Sequence, residues 1–272
     1  MQLVADIDVY VVGVDRVDQE LIDAAPNLKL IVKHGAGYDN IDLDYAKKKG
    51  IAVTFAPGCN AQSVAEFAIA LMLSLCRGVA KCSAEVRNGQ WNLFMGSELR
   101  GKNLGLIGYG NIGQRVANLA KAFEMKVMVY DPFLPDEKFV EHHVKQATLE
   151  EVLQTSDFLS LHAPSTDENF HLINENTLQM MKPTAYLINT ARGNLVDEDA
   201  LSIALREKRL RGAALDVFQK EPPSADFAVL EHTVFTPHLG GCTQDSAQML
   251  AQRTFENIVN FINQRPLINR LV

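Results

Sequence analysis

Cysteine is scarce in the sequence and is not spaced for metal binding or a disulfide framework. The cysteines are Cys59, Cys76, Cys82 and Cys242, and none of them forms a CxxC pair. Small secreted folds held by disulfides have a denser pattern, so we expect reduced thiols. The side chains of the adjacent His142 and His143 would diverge on any regular element, and no Cys or carboxylate pattern completes a site. We therefore predict no metal.

Long apolar runs and basic clusters are also missing. The most apolar stretch, Val64 to Cys76, contains Glu66 and Ser74 and is shorter than the roughly 20 residues that cross a bilayer. Met1 to Asp8 carries no basic region of the kind that opens a secretory signal. Acidic residues outnumber basic ones by 33 to 26, which disfavours nucleic acid as a partner. We expect a cytoplasmic protein.

From Gly101 onward, short β-branched runs alternate with amphipathic segments, the pattern of a parallel sheet covered by helices on both faces. The predicted strands are Asn103 to Ile107, Lys126 to Tyr130, Asp157 to Leu161, Ala185 to Asn189, Ala213 to Val217 and Thr233 to Phe235. The predicted helices include Gln114 to Phe123, a segment opened by a Thr148-x-x-Glu151 capping box, and Asp199 to Lys208 behind an Asp197 cap. This region predicts a doubly wound Rossmann domain.

The chain before Gly101 predicts a second, smaller α/β domain. Its strands are expected at Val9 to Val12, Leu30 to Val32 and Ile51 to Thr54, followed by a long helix with a capping box at Ser63 and Glu66. Ala247 to Ile262 is also helical in period and is expected to pack on this domain. We predict a substrate domain of residues 1–72 and 248–272, a cofactor domain of residues 73–247, and a hinged cleft that holds a small ligand.

A G-x-G-x-x-G motif lies between the first predicted strand of the cofactor domain and its helix. Gly108 permits the tight turn, Gly110 admits a pyrophosphate to the backbone amides, and Gly113 lets the helix approach the strand. Asp131 ends the next strand, where a carboxylate accepts hydrogen bonds from both ribose hydroxyls and repels the 2'-phosphate of NADP. The motif favours NAD, and the alternative is a structural turn followed by a surface aspartate.

Polar residues that follow successive strands of a doubly wound sheet meet at its ligand-binding edge. His238 could exchange the hydroxyl proton of an alcohol, Glu221 could hold the other imidazole nitrogen, and Arg192 could bind a carboxylate and polarise a carbonyl. Each has an alternative reading. His238 could be a core histidine, Glu221 a solvated loop acid, and Arg192 a surface ion-pair partner.

Together these segments resemble the D-isomer-specific 2-hydroxyacid dehydrogenases, and within them the phosphoglycerate dehydrogenase branch, over nearly the whole chain. The motifs that carry the resemblance are Gly35-Ala36-Gly37-Tyr38-Asp39-Asn40-Ile41-Asp42, the Gly108 to Gly113 fingerprint with Tyr130-Asp131-Pro132, Leu161-His162-Ala163-Pro164, Asn189-Thr190-Ala191-Arg192-Gly193, Ala214-Leu215-Asp216-Val217-Phe218 and Pro237-His238-Leu239-Gly240.

The resemblance implies a role for each matching position. It implies that Arg192, Glu221 and His238 are the catalytic set. Further cofactor contacts are implied for Asn111, Ile112, Ala163, Thr190, Asp216 and Gly240. Substrate contacts are implied for Lys33, Gly35, Ala36 and Gly37, together with Arg192 and His238. Lys33 stands where this branch tends to carry an arginine, so it is expected either to meet a substrate phosphate or to be a solvated lysine at a strand end.

The resemblance also sets expectations for the whole protein. The smaller domain is expected to be flavodoxin-like without its first strand and helix, and the end at Val272 is expected to leave no regulatory domain. The expected reaction is NAD-dependent hydride transfer between a D-2-hydroxy acid and its 2-keto acid, with 3-phosphoglycerate or the hydroxypyruvate and glyoxylate pairs as substrates. A non-catalytic NAD-binding module and a truncated inactive remnant are the alternatives. An apolar crossing helix, expected to be exposed, favours a homodimer.

Overall fold

The computed structural model describes residues 4–142 and 144–272, so His143 of the adjacent histidine pair lies outside the described residues. Its strands are β1 (Val9–Val12), β2 (Leu30–Lys33), β3 (Ala52–Thr54), β4 (Asn103–Ile107), β5 (Lys126–Tyr130), β6 (Lys145–Gln146), β7 (Phe158–Leu161), β8 (Tyr186–Asn189), β9 (Gly212–Leu215) and β10 (Thr233–Phe235). Its α-helices are α1 (Gln19–Asp23), α2 (Leu43–Lys48), α3 (Ala61–Arg77), α4 (Val79–Arg87), α5 (Asn111–Ala122), α6 (Asp136–Glu141), α7 (Leu149–Thr155), α8 (Glu175–Met180), α9 (Glu198–Arg206), α10 (Ala225–Ala228) and α11 (Gln244–Ile262).

The described chain divides into two compact units. The central unit is Ser63–Gly240, and the terminal unit combines the described residues up to Gln62 with Gly241–Val272. Both borders of the predicted domains, after residues 72 and 247, lie inside helices α3 and α11. The assignment of one unit to substrate and the other to cofactor stays a prediction.

The central unit is built on a parallel sheet of seven strands, in the order β10-β9-β8-β7-β4-β5-β6. From β4 the chain moves outward through β5 and β6. It then returns to the other side of β4 and moves outward again from β7 to β10. The strand order therefore reverses between β4 and β7, which is where doubly wound sheets bind their ligands. The predicted Rossmann architecture is confirmed.

Helices cover both faces of this sheet because its strands are apolar on both sides. On one face, Leu104 and Leu106 of β4 pack with Ala68 and Met72 of α3 and with residues of α5. On the other face, Ile107 joins a cluster supplied by helices α7, α8 and α9. Successive side chains of β4 point to opposite faces of the sheet, so the sheet separates two hydrophobic cores.

The predicted strands of the central unit agree with the structure to within two residues at each end. The sheet also contains β6, which was not predicted. β6 has two residues, Lys145 and Gln146, and both are exposed. Neither residue type favours a strand, so only pairing with Met128 and Val129 of β5 makes this segment a strand.

Helix starts were predicted with mixed success. Asp197 and Thr148 are the N-caps of α9 and α7, each accepting a hydrogen bond from a backbone amide three residues later. The reciprocal half of the predicted box at Thr148 is not formed, because the Glu151 carboxylate contacts Lys145 instead. The capping box at Ser63 is wrong, because α3 already begins at Ala61, whose amide donates to the carbonyl of Gly58. A backbone turn supplies the first acceptor there, and a backbone turn leaves little trace in side-chain patterns.

The terminal unit contains a parallel three-stranded sheet in the order β1-β2-β3. Ile31 and Val53 face a core that includes Ile22 and Ala46, so α1 and α2 cover that side. Leu30, Val32 and Ala52 face the opposite side and pack with Ile258 and Phe261 of α11. The prediction that the last helix packs on this sheet is confirmed.

Among the described residues, no helix taken alone has the length and apolar character to span a membrane. Helices α3 and α4 meet those criteria only when they are joined across a 62° bend.

Candidate active site

A row of residues lies at the carboxyl edge of the central sheet, one position beyond the last paired residue of five neighbouring strands. Ile107, Leu161, Asn189, Leu215 and Phe235 are aligned with one another across the sheet. The next residues along these strands are Gly108, His162, Thr190, Asp216 and Thr236. Backbone hydrogen bonds continue into the row, as in the 2.7 Å bond from the His162 amide to the Ile107 carbonyl. The register therefore brings polar residues from distant parts of the chain to one edge.

The glycine turn begins this row, and its three glycines have different surroundings. Gly108 has φ +93°, and a Cβ there would lie 2.7 Å from both the His162 carbonyl oxygen and the Ala163 amide nitrogen. A Cβ on Gly113 would lie 2.3 Å from the Gly108 carbonyl oxygen. A Cβ on Gly110 would meet nothing within 4 Å. The turn is thus packed at Gly108 and Gly113 and open at Gly110.

The open position is suited to a dinucleotide pyrophosphate. Gly110 is the N-cap residue of α5 and has no side chain to cap the helix. The first amides of the helix, at Asn111 and Ile112, are therefore available to a phosphate group at Gly110. Thr190, further along the row, has a buried hydroxyl with no hydrogen-bond partner in the described chain. The residues present therefore fit the cofactor that the glycine motif predicts.

Asp131 follows β5 and contacts the glycine turn directly. One carboxylate oxygen accepts a 2.8 Å hydrogen bond from the Tyr109 amide, and the other accepts a 3.0 Å bond from the Phe133 amide. Each oxygen keeps a lone pair for a further donor. Asp131 therefore ties the second strand to the glycine turn.

Asp216 holds the loop that carries His238. Its buried carboxylate accepts hydrogen bonds from the Thr236 hydroxyl at 2.6 Å and from the amides of Leu239 and Gly240 at 2.7 Å each. These bonds bracket His238, whose backbone lies in the left-handed region with φ 56°. The resemblance implied only a cofactor contact for Asp216, so this role in positioning the loop was missed.

His238 and Glu221 are brought together by the structure. The imidazole Nδ1 lies 3.3 Å from Glu221 Oε2, while Glu221 Oε1 accepts a 3.3 Å bond from the Phe218 amide. The His238 side chain is 57% exposed, which excludes the core-histidine reading. The Glu221 side chain is 44% exposed, but it is not merely solvated because it faces the imidazole.

Arg192 follows β8 on a loop that is tied down by Asn189. The Asn189 side chain accepts from the Ala191 amide at 3.0 Å and donates to the Arg192 carbonyl at 2.8 Å. A Cβ on Gly193 would lie 2.0 Å from the backbone of Phe218, so the Arg192 and Glu221 loops are in direct contact. Asn189 was missed as a positioning residue, although a polar residue at the end of a buried strand is a signal that could have identified it.

Lys33 of the terminal unit is buried at the end of β2. Its ammonium donates to the Gly13 carbonyl and, at 2.8 Å, to the Asn40 side-chain oxygen. The expectation of a solvated lysine is therefore wrong, because a loop carbonyl and an amide draw the side chain inward. The nearby amides of Gly35, Ala36 and Gly37 have no acceptor within the part of the chain that the structure describes.

Comparisons with known proteins agree with this geometry. The model of the family "D-isomer specific 2-hydroxyacid dehydrogenase, NAD binding domain" matches residues 69–240. Glyoxylate reductase from Thermococcus litoralis is 40% identical, and the match covers 96% of this chain and 82% of that protein. Hydroxypyruvate reductase from Thermotoga maritima is also 40% identical, with 95% of this chain and 86% of the relative covered.

A solved structure provides the same comparison in three dimensions. D-lactate dehydrogenase from Aquifex aeolicus, complexed with NAD and lactic acid, superposes with a TM-score of 0.89 at 34% identity, covering 97% of this chain and 85% of that chain. The chain therefore belongs to the D-isomer specific 2-hydroxyacid dehydrogenase family. It is an NAD-dependent oxidoreductase that interconverts a 2-hydroxy acid and its 2-keto acid.

The two environments in the glycine turn predict different effects of alanine. Gly108→Ala should lower the melting temperature of the unliganded protein, because the methyl group collides with the backbone after β7. Gly110→Ala should leave the melting temperature within a degree or two and weaken NADH binding about tenfold or more, because its methyl group enters open space beside the helix amides. Thermal unfolding and NADH fluorescence titration measure both quantities. A Gly110→Ala protein with normal NADH affinity would contradict this assignment.

Proposed function

We propose that the chain acts on small, unphosphorylated 2-keto acids such as glyoxylate and hydroxypyruvate, with Arg192, Glu221 and His238 as its catalytic residues. The observation that carries the proposal is the His238–Glu221 pair, at 3.3 Å, on loops at the same sheet edge as the glycine turn. The names of the glyoxylate and hydroxypyruvate reductases similar to this chain support the substrate class.

The residues divide the work of reducing a keto acid. When bound, NADH supplies the hydride that adds to the carbonyl carbon. In this proposal His238 donates a proton from Nε2 to the carbonyl oxygen, while Nδ1 faces the Glu221 carboxylate. Glu221 keeps the ring oriented through this contact. In the reverse direction the same imidazole takes up the hydroxyl proton.

Arg192 contributes charge and orientation. A guanidinium can bind the substrate carboxylate with paired hydrogen bonds and stabilise the negative charge that develops on the carbonyl oxygen. In our proposal the terminal unit, which carries Gly35, Ala36 and Gly37, is the substrate domain, and the central unit is the NAD domain. The Asn189 and Asp216 contacts support the proposed roles of Arg192 and His238, because they restrain the loops that carry these two side chains.

The role of His238 can be tested against a matched histidine. His238 and His232 are both exposed and have φ 56° and 58°, a conformation that asparagine tolerates. His238→Asn should lower kcat by about a hundredfold or more and leave the Kd for NADH nearly unchanged, because only proton transfer is lost. His232→Asn should leave both unchanged. Steady-state kinetics and NADH titration check this, and equal kcat values for the two variants would refute the assignment.

Asp131 supports a preference for NAD over NADP. Its carboxylate would accept from ribose hydroxyls and repel a 2'-phosphate. Asp131→Asn removes the charge while keeping one oxygen for the Tyr109 amide, so the ratio of kcat/KM for NADH over NADPH should fall about tenfold or more. Asp136→Asn removes an exposed carboxylate of α6 and serves as the control. An unchanged ratio in Asp131→Asn would mean that another residue sets the preference.

The contacts of Lys33 favour an unphosphorylated substrate, because its ammonium already donates to two oxygens of the terminal unit. Turnover with a panel of glyoxylate, hydroxypyruvate and 3-phosphohydroxypyruvate should favour the first two. Lys33→Met should lower the melting temperature and reduce kcat/KM for all three by a similar factor. A selective loss with the phosphorylated acid would instead assign Lys33 to a substrate phosphate. NADH binding with no turnover of any keto acid would favour the non-catalytic alternatives.

We further propose that the protein is a cytoplasmic homodimer that associates through the segment between α4 and β4. The expected reason, an exposed crossing helix, is wrong because Ala65, Ala68 and Met72 of α3 are fully buried. Exposed apolar residues occur instead at Trp91, Leu93 and Met95.

A cavity of about 680 Å³ adjoins this segment, at the amino ends of β8, β9 and β10 and therefore away from the catalytic edge. Phe94, Leu205, Leu210 and Val229 are among its lining residues. One surface thus carries both the exposed apolar side chains of this segment and an apolar cavity. A two-fold interface requires such a surface, because the side chains of each copy can then enter the cavity of the other.

The dimer proposal is tested by introducing charge into this surface. Leu93, with 97% of its surface exposed, makes few contacts in the monomer. Leu93→Asp should therefore shift the protein toward the monomer in sedimentation equilibrium without lowering the stability of the monomer. Phe133→Asp places the same charge at another exposed apolar position, 92% accessible, and should leave the oligomeric state unchanged. Equal masses for the two variants would contradict the proposed interface.

A further inference from the structure

His162 is a buried histidine that the mechanism above does not use. It follows β7 and lies beside the glycine turn, where its carbonyl excludes a side chain at Gly108. Its Nε2 lies 2.9 Å from the Ser160 hydroxyl. Its Nδ1 is buried and has no partner in the described part of the chain. Within the described chain, Nε2 of the ring therefore has a hydrogen-bond partner and Nδ1 does not.

Burial keeps this ring neutral. The pKa of His162 is lowered to about 3 because desolvation disfavours the charged imidazolium. Near neutral pH the ring therefore offers one N–H donor and one acceptor, so a single hydrogen bond at Nδ1 completes its requirements once Ser160 is bonded to Nε2. The ring is suited to fixing a neighbouring group and not to transferring a proton.

Thr190 presents a matching group on the neighbouring strand. Leu161 is paired with Asn189, so His162 and Thr190, one position further along, are neighbours on the same face of the sheet. Adjacent strands are about 4.8 Å apart. The Thr190 hydroxyl is also buried and unpartnered in the described chain. Two unpaired polar atoms at adjacent positions favour a shared hydrogen-bond partner, since buried polar groups are rarely left unsatisfied.

We propose that His162 is a positioning residue for NAD, and that one ordered water molecule bridges its Nδ1 and the Thr190 hydroxyl. The bridge restrains the threonine rotamer so that the hydroxyl faces the dinucleotide. This proposal rests on the assignment of Thr190 to the cofactor site. It predicts an effect on cofactor binding and little effect on the hydride-transfer step.

Two substitutions at position 162 separate the ring nitrogens. An asparagine amide occupies roughly the place of Nδ1, and a glutamine amide occupies roughly that of Nε2. His162→Gln therefore keeps a group for Ser160 and removes the one that faces Thr190, whereas His162→Asn does the reverse. We expect the NADH Kd to rise on the order of fivefold to tenfold in His162→Gln and to stay within about twofold in His162→Asn, with kcat at saturating NADH little changed in either.

Thr190→Val removes the hydroxyl and keeps the shape of the side chain. It should raise the NADH Kd by a similar factor, and the double variant His162→Gln with Thr190→Val should bind NADH no more weakly than either single variant. Additive effects in this cycle would overturn the bridge, as would equal losses in His162→Asn and His162→Gln. The cycle uses binding alone, so it stays informative if the wild-type protein binds NADH without turning over keto acids. That outcome would overturn the proposed function and not this inference.

A crystal structure of the wild-type protein with NAD provides a second measurement if a position-162 variant does not fold. A water molecule within hydrogen-bond distance of both His162 Nδ1 and Thr190 Oγ1 is the expected result. A well-ordered site with no such water would overturn the proposal.

Discussion

The ladder of hydrogen bonds between β4 and β7 is the constraint on which the rest of the central unit depends. It joins the strands that run outward to β6 with those that run outward to β10, and it continues through the bond from the His162 amide to the Ile107 carbonyl. At this junction the backbone after β7 lies so close to Gly108 that no side chain fits. The glycine turn is therefore shaped by the backbone that follows a strand much later in the sequence, β7.

Two buried polar side chains, Asn189 and Asp216, restrain the loops that carry Arg192 and His238. Asp216 accepts three hydrogen bonds from the loop around His238, and Asn189 makes two with the loop around Arg192. Neither loop belongs to a helix or strand that could hold it by repeated backbone bonding. A buried carboxylate and a buried amide supply the missing acceptors and donors, and such groups are costly to leave unsatisfied. The side chains of Arg192 and His238 are thus carried on loops that are restrained at their bases by buried polar groups.

Asp131 provides a similar restraint at the glycine turn. One carboxylate oxygen of Asp131 accepts from the Tyr109 amide and the other from the Phe133 amide, so the residue proposed to contact the ribose also supports the glycine turn. Sharing one residue between the two tasks links the position of the second strand to that of the glycine motif.

The sequence by itself determined the features that depend on neighbouring residues along the chain. Short apolar runs predicted the main strands, the spacing of Gly108, Gly110 and Gly113 predicted the turn between β4 and α5, and the ends of three strands indicated Arg192, Glu221 and His238 as candidate site residues. Only the tertiary structure decided features whose hydrogen-bond partners are distant in sequence. These are the burial of Lys33 against Gly13 and Asn40, the hydrogen bonds of Asp216 to the His238 loop, and the short strand β6. The physical reason is that a local pattern records which side chains prefer to be buried. The atom that a buried polar group meets is chosen only when the strands come into register.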